Sequence, residues 1–119
     1  MLKMTVVADE GELVRVQCEG EISQVKFQLN DNPLESLVGP NVYTRKLLMN
    51  LDRVEFLDSS GISWLVVSHK HFQQHGGLLV LYSLPPRIHQ VLQFCRMDKL
   101  LRLTEDEAAA RALAAGGKS

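Results

Sequence analysis

Cysteine is scarce in this 119-residue chain: Cys18 and Cys95 stand far apart and no Cys-x-x-Cys pair occurs. That spacing excludes a zinc ribbon or a thioredoxin-like redox motif, and the two thiols read as small core residues of a protein in a reducing cytoplasm. Neither sign of charge dominates. Lys and Arg number 13, Asp and Glu 14, and the net charge is −1, with Arg45-Lys46 as a basic pair and no basic stripe. A nucleic-acid binder normally carries such a stripe. No apolar run approaches 18 residues and no secretory apolar segment opens the chain, so the sequence predicts neither a membrane span nor export. A G-x-S-x-G elbow, a glycine-rich phosphate cradle and a readable acid–base pair are all missing, which argues against an enzyme.

What is present is alternation of strand-like and helix-like stretches within one domain, residues 1–119, with 113–119 expected to fray. Met4 to Val7 and Leu13 to Cys18 are β-like around the turn-forming Asp9-Glu10-Gly11. Val14, Val16 and Cys18 alternate with Arg15 and Gln17, and Gly20 is expected to end that strand. In residues 22–44, Val25, Phe27 and Leu29 alternate like a strand, Asn30 to Pro33 forms a turn, and Pro33 opens a short helix reaching Val38 before Gly39-Pro40. Lys46 to Phe56 reads as an interior strand. A helix follows with Ile62, Leu65, Val66 and His69 on one stripe, ended by Gly76-Gly77. Leu78 to Tyr82 is a strand covered on both faces. Pro85-Pro86 opens a helix carrying Ile88, Val91, Leu92 and Cys95, Leu100 to Leu103 is an edge strand, and Thr104 with Glu107 forms a capping box for a final helix. The pattern predicts an α/β fold with a parallel or mixed sheet.

The chemistry concentrates at Asp58-Ser59-Ser60-Gly61, between the interior strand and its helix. The first N–H groups of a helix lack internal partners and carry the positive end of its dipole. All three polar residues are good caps, so one reading is that they start the helix and do nothing else. The other uses the same physics: a helix mouth can hold a phosphate on a serine without unfolding, and the added charge of about −1.5 to −2 would repel a docked partner.

The segments "GEI" at 20–22, "LLMNLDRVEFLDSSGIS" at 47–63, "GGLLVLYSLPP" at 76–86 and "VLQFCRMDKLLRL" at 91–103 resemble the STAS-domain family, in particular the bacterial anti-sigma factor antagonists. The resemblance implies a single STAS-like domain with a central mixed β-sheet of about four or five strands and helices packed on one side. It implies that Ser59 is the phosphorylation site and that Asp58, Ser60, Gly61, Ser63 and Trp64 belong to the partner-binding surface. The implied partners are an anti-sigma factor that is also a serine kinase of the histidine-kinase-like ATPase type, which binds the unphosphorylated form, and a phosphatase that resets the switch. No cofactor, metal, nucleic acid or membrane is implied. The chain departs from the family pattern at Ser23, where an acidic or polar residue usually opens a clean helix, and at Ser63, where a second glycine is frequent.

Trp64 sits just off the main stripe of its helix and can be core or an aromatic anchor beside Ser59; Phe94 and Met97 pose the same question. His71 and His75 share a helix face, but with no acidic or sulfur ligand near in sequence they fall short of a metal site. Two other functions stay open: a STAS accessory subunit of a transporter or signalling complex that is never phosphorylated, and a nucleotide-binding domain using the same helix mouth.

Overall fold

The computed structural model describes residues 2–25 and 32–116. The alternation expected over Phe27 and Leu29, and the first half of the turn at Asn30, lie outside the described residues. Five strands form one mixed sheet in the order β1-β2-β3-β4-β5. β1 (Lys3–Asp9) runs antiparallel to β2 (Leu13–Ile22), whereas β3 (Lys46–Leu57), β4 (Leu78–Tyr82) and β5 (Arg102–Thr104) follow β2 in parallel. Between them stand α1 (Pro33–Val38), a 3-10 turn at Val42–Thr44, α2 (Ser59–Gln74), α3 (Pro86–Phe94) and, last, α4 (Glu107–Gly116).

The two faces of the sheet are sorted by strand alternation. Val14, Val16 and Cys18 of β2, Leu47, Met49 and Leu51 of β3, and Leu79 and Leu81 of β4 point to one side. There they pack in one core cluster with Leu34 of α1, Trp64, Leu65 and Phe72 of α2, and Ile88 and Leu92 of α3. Leu48, Val80 and Tyr82 point the other way and pack against Ala110 and Ala114 of α4. The helices are therefore not confined to one side as expected. α4 covers the second face, because its small alanines can approach the inner strands closely.

Several boundaries differ from the sequence reading. β2 does not end at Gly20; it continues to Ile22, with register shifts against β3 on either side of Glu19 and Gly20. Gly20 takes φ 89°, a left-handed conformation that glycine adopts without strain, so it serves as a bulge and not as a stop. The capping box expected from Thr104 and Glu107 does not form. Asp106 accepts the Ala109 N–H at 2.8 Å, and Glu107 turns to Arg15 and Arg111. Of the stretch 113–119 expected to fray, residues 113–116 form the last turn of α4, with Ala114 buried, and 117–119 lie outside the described residues. Cys95 is exposed, because α3 ends at Phe94 and Cys95 leaves the apolar stripe. Cys18 is buried as expected, and burial pushes its thiol up to about 12.

The C-terminal ends of the parallel strands share one rim. Ile22 pairs with Leu57 there, which sets the exit of β2 beside the start of α2.

Candidate functional site

The rim brings Ser23 and Gln24 from the end of β2 against Asp58, Ser59, Ser60 and Gly61. Asp58 is the N-cap of α2 in extended conformation, and its backbone carbonyl accepts the Ile62 N–H at 2.9 Å. Its carboxylate is fully engaged. Oδ1 accepts the Gly61 N–H at 3.0 Å and the Ser60 hydroxyl at 2.7 Å, and Oδ2 accepts the Ser23 hydroxyl at 2.5 Å. The hydrogen bonds from Ser23, then Ser60, then the Gly61 amide lower the Asp58 pKa to about 2. Ser60 is used twice, because its oxygen also accepts the Gln24 N–H at 2.7 Å. Gln24 holds φ 53°, a left-handed strain that this clasp sustains.

Gly61 is required for packing. A Cβ there would stand 1.9 Å from the Ile22 carbonyl oxygen and 2.8 Å from its carbon. The first turn of α2 thus lies directly on the backbone of β2, and only a residue without a side chain permits it. Gly61 is itself buried, so its place at the corner is set by this close approach.

Ser59 differs from its neighbours. It occupies the first helical position of α2 and is exposed, and its hydroxyl has no hydrogen-bond partner among the described residues. Ser63, one turn along, is exposed as well. Trp64 is not on this surface. It is fully buried and its Nε1–H donates to Asn32 Oδ1 at 3.0 Å, so the core reading holds and the anchor reading fails. Helical spacing points Trp64 inward with Ser68 and Phe72.

That contact opens a network that sequence reasoning missed. Asn32, buried beside α1, caps that helix by accepting the Leu34 N–H at 2.9 Å and donates to the Ser68 hydroxyl at 3.0 Å. It ties α1 to the middle of α2. A turn-forming Asn before Pro33 is visible in the sequence, but nothing local to Trp64 or Ser68 marks them as its partners.

The histidines do other things. His69 is buried, which lowers its pKa, with Arg102 and Lys70 adding to the effect. The rings of His71 and His75 stack with centroids 6.3 Å apart, His71 lies 4.9 Å from the Tyr43 ring, and Tyr43 donates its hydroxyl to Glu35 at 2.8 Å. Among the described residues no three His, Cys, Asp or Glu side chains are grouped to hold a metal. Phe94 is 91% exposed, whereas Met97 packs against the core.

Most of the chain matches a known family. Residues 4–110 fit the STAS domain. The chain belongs to the STAS domain family. Among curated relatives, the anti-sigma F factor antagonist of Paenibacillus polymyxa is 25% identical over 64 residues, 54% of this chain and 55% of that protein; the match thus spans about half of the relative's length. Solved structures of two proteins share the fold. An anti-sigma factor antagonist from Mycobacterium paratuberculosis aligns at TM-score 0.67 and 21% identity, covering 95% of each chain. The anti-sigma factor antagonist SpoIIAA aligns in its unphosphorylated form at TM-score 0.67 and 18% identity, over 98% of this chain and 97% of that one. The phosphorylated form of SpoIIAA, a Bacillus cell fate determinant, aligns at TM-score 0.57 and 18% identity over 95% and 99%. Among the described residues no helix of this STAS domain is long and apolar enough to cross a membrane.

Proposed function

We propose that this STAS domain is a phosphorylation-switched anti-sigma factor antagonist, with Ser59 as the acceptor. In this reading the unphosphorylated domain binds an anti-sigma factor that is also a serine kinase of the histidine-kinase-like ATPase type. Phosphorylation of Ser59 releases it, and a phosphatase restores the hydroxyl.

The observation that carries the reading is the division of labour among the serines of the rim. Ser23 and Ser60 both donate to Asp58, and Ser60 also accepts from Gln24; the Ser59 hydroxyl is exposed and has no such ties. A kinase approaching this rim can take the Ser59 hydroxyl without breaking a hydrogen bond of the domain, and Ser59, unlike the likewise exposed Ser63 one turn along, stands at the first position of the helix. In the transfer, Ser59 Oγ bonds to the γ-phosphorus of ATP, the bond to the bridging oxygen breaks, and ADP leaves. Asp58 does not take the hydroxyl proton. Its oxygens are occupied and its pKa is held at about 2, so the base is supplied by the kinase.

The release follows from charge. The phosphoryl group brings about −1.5 to −2 to a rim already bearing Asp58. Against a partner carboxylate at about 4 Å, each unit of like charge costs about 1–4 kcal/mol between fully wet and surface conditions, about five-fold to several hundred-fold in affinity. The fold need not change. The test combines the domain with its cognate kinase and ATP and measures intact mass and the modified site. A single phosphate at Ser59, none in Ser59→Ala, and loss of kinase binding in Ser59→Asp without loss of stability support the reading. A phosphate mapped elsewhere overturns Ser59 as the acceptor, and no phosphate at all, or undiminished binding by Ser59→Asp, overturns the switch in favour of an unphosphorylated accessory subunit.

A further inference from the structure

On the face of the sheet away from α1, α2 and α3, four charged side chains close a ring of alternating sign. Glu10 comes from the turn after β1, Arg15 from β2, and Glu107 and Arg111 from α4. Arg15 Nη1 lies 2.9 Å from Glu107 Oε1, and Arg111 Nε lies 2.8 Å from Glu107 Oε2. The other nitrogens of Arg111 bond both oxygens of Glu10, at 3.1 and 2.5 Å. Arg15 Nε stands 3.8 Å from Glu10 Oε2, in ion-pair range but beyond hydrogen-bond range, and is buried with no hydrogen-bond acceptor among the described residues.

Under this ring the apolar grip of α4 is slight. Its buried residues are Ala110 and Ala114, one methyl each, with Leu113 packed partly beside them. α2 by contrast buries Trp64, Leu65 and Phe72. Since apolar stabilisation scales with the area removed from water, α4 owes an unusual share of its attachment to charge. The ring side chains are between 23% and 40% exposed, so dissolved salt reaches them.

We propose that α4 is a detachable strap: the charge ring holds it to the sheet, and breaking the ring frees the helix while the rest of the domain stays folded, uncovering Leu48, Val80 and Tyr82. The screening length shrinks from about 10 Å at 0.1 M salt to about 3 Å at 1 M, so salt alone is a release signal. This device is independent of Ser59 and of the reading given to it.

Hydrogen exchange read by mass spectrometry on the full chain tests the strap. In the wild type, raising salt from about 0.05 M to about 1 M is expected to speed exchange of the α4 amides by about ten-fold or more, leaving those of β3 and β4 unchanged. Arg111→Gln is expected to show that fast α4 exchange already at low salt, with little further response. If the α4 amides exchange only together with those of β3 and β4, or if neither salt nor Arg111→Gln changes them, the strap does not exist. The salt series on the wild type decides between these outcomes even if the variant folds poorly.

Discussion

Gly61→Ala offers a test in which the sign of the effect decides. Alanine is a better helix former than glycine by about 0.8–1.0 kcal/mol, so at an unconstrained position inside α2 the substitution would stabilise the domain. The structure predicts the opposite. The new methyl would lie 1.9 Å from the Ile22 carbonyl oxygen and 2.9 Å from Ile22 Cγ2. The first distance is about 1.5 Å short of an ordinary contact. The atom it meets is backbone in the sheet and cannot swing away. The first turn of α2 must therefore lift from β2, costing about 1–3 kcal/mol in overpacking strain. The lift also pulls Ser60 from the Gln24 amide, now at 2.7 Å, for about another 1 kcal/mol. Less the helix-propensity gain, the net loss is about 1–3 kcal/mol. Urea unfolding followed by the fluorescence of Trp64, the single tryptophan, should show the midpoint falling by about 0.5 M or more. An unchanged or higher midpoint would refute the close approach of α2 to β2, and with it the geometry assigned to the whole rim.

Two further outcomes follow. Asn32→Ala removes the acceptor of the buried Trp64 N–H and the donor to Ser68, and it uncaps α1; a loss of about 2–4 kcal/mol is expected, with a shift in Trp64 emission, and a loss below about 0.5 kcal/mol would contradict the network. Asp58 has a folded-state pKa of about 2 against an ordinary 3.8, so its contribution to stability is complete above that ordinary value and is lost as pH falls through the lower one. A carboxyl NMR titration should place its midpoint near the lower figure, and Asp58→Asn should flatten the dependence of stability on pH across that window; a midpoint at 3.8 or above would show the clasp is not formed.

The legible parts of this fold are those where one element settles its own pattern. The apolar run Leu78 to Tyr82 marks a strand covered on both faces, and those are the bounds of β4. Pro33 and Val38 bound α1, and Asp58 announces the start of α2. The misread parts depend on a second element. Gly20 looks like a stop until β3 is alongside to absorb the bulge. Glu107 looks like half of a capping box until Arg15, far away in sequence, draws it off. Ser23 looks like a departure from the family pattern, yet it supplies a hydroxyl to Asp58 because β2 ends beside β3. The place of Ser59 at the start of a helix is readable, but the reason for Gly61 is not, since it lies in the backbone of Ile22.

The two readings of the strand-to-helix joint are not rivals, because its residues divide the work. Asp58, Ser60 and Gly61 hold the corner together through bonds and close contact that any change would disturb. Ser59 contributes no side-chain hydrogen bond to the corner among the described residues, so a group attached there breaks no hydrogen bond of the corner and sits at the positive end of the α2 dipole. Moved one residue on, to Ser60, the same group would displace both the Asp58 carboxylate and the Gln24 amide and open the rim. A corner that needs three of its residues fixed leaves the Ser59 hydroxyl as the one of its own that the fold does not use, and under the proposed reading that is the group a partner changes while the other contacts stay in place.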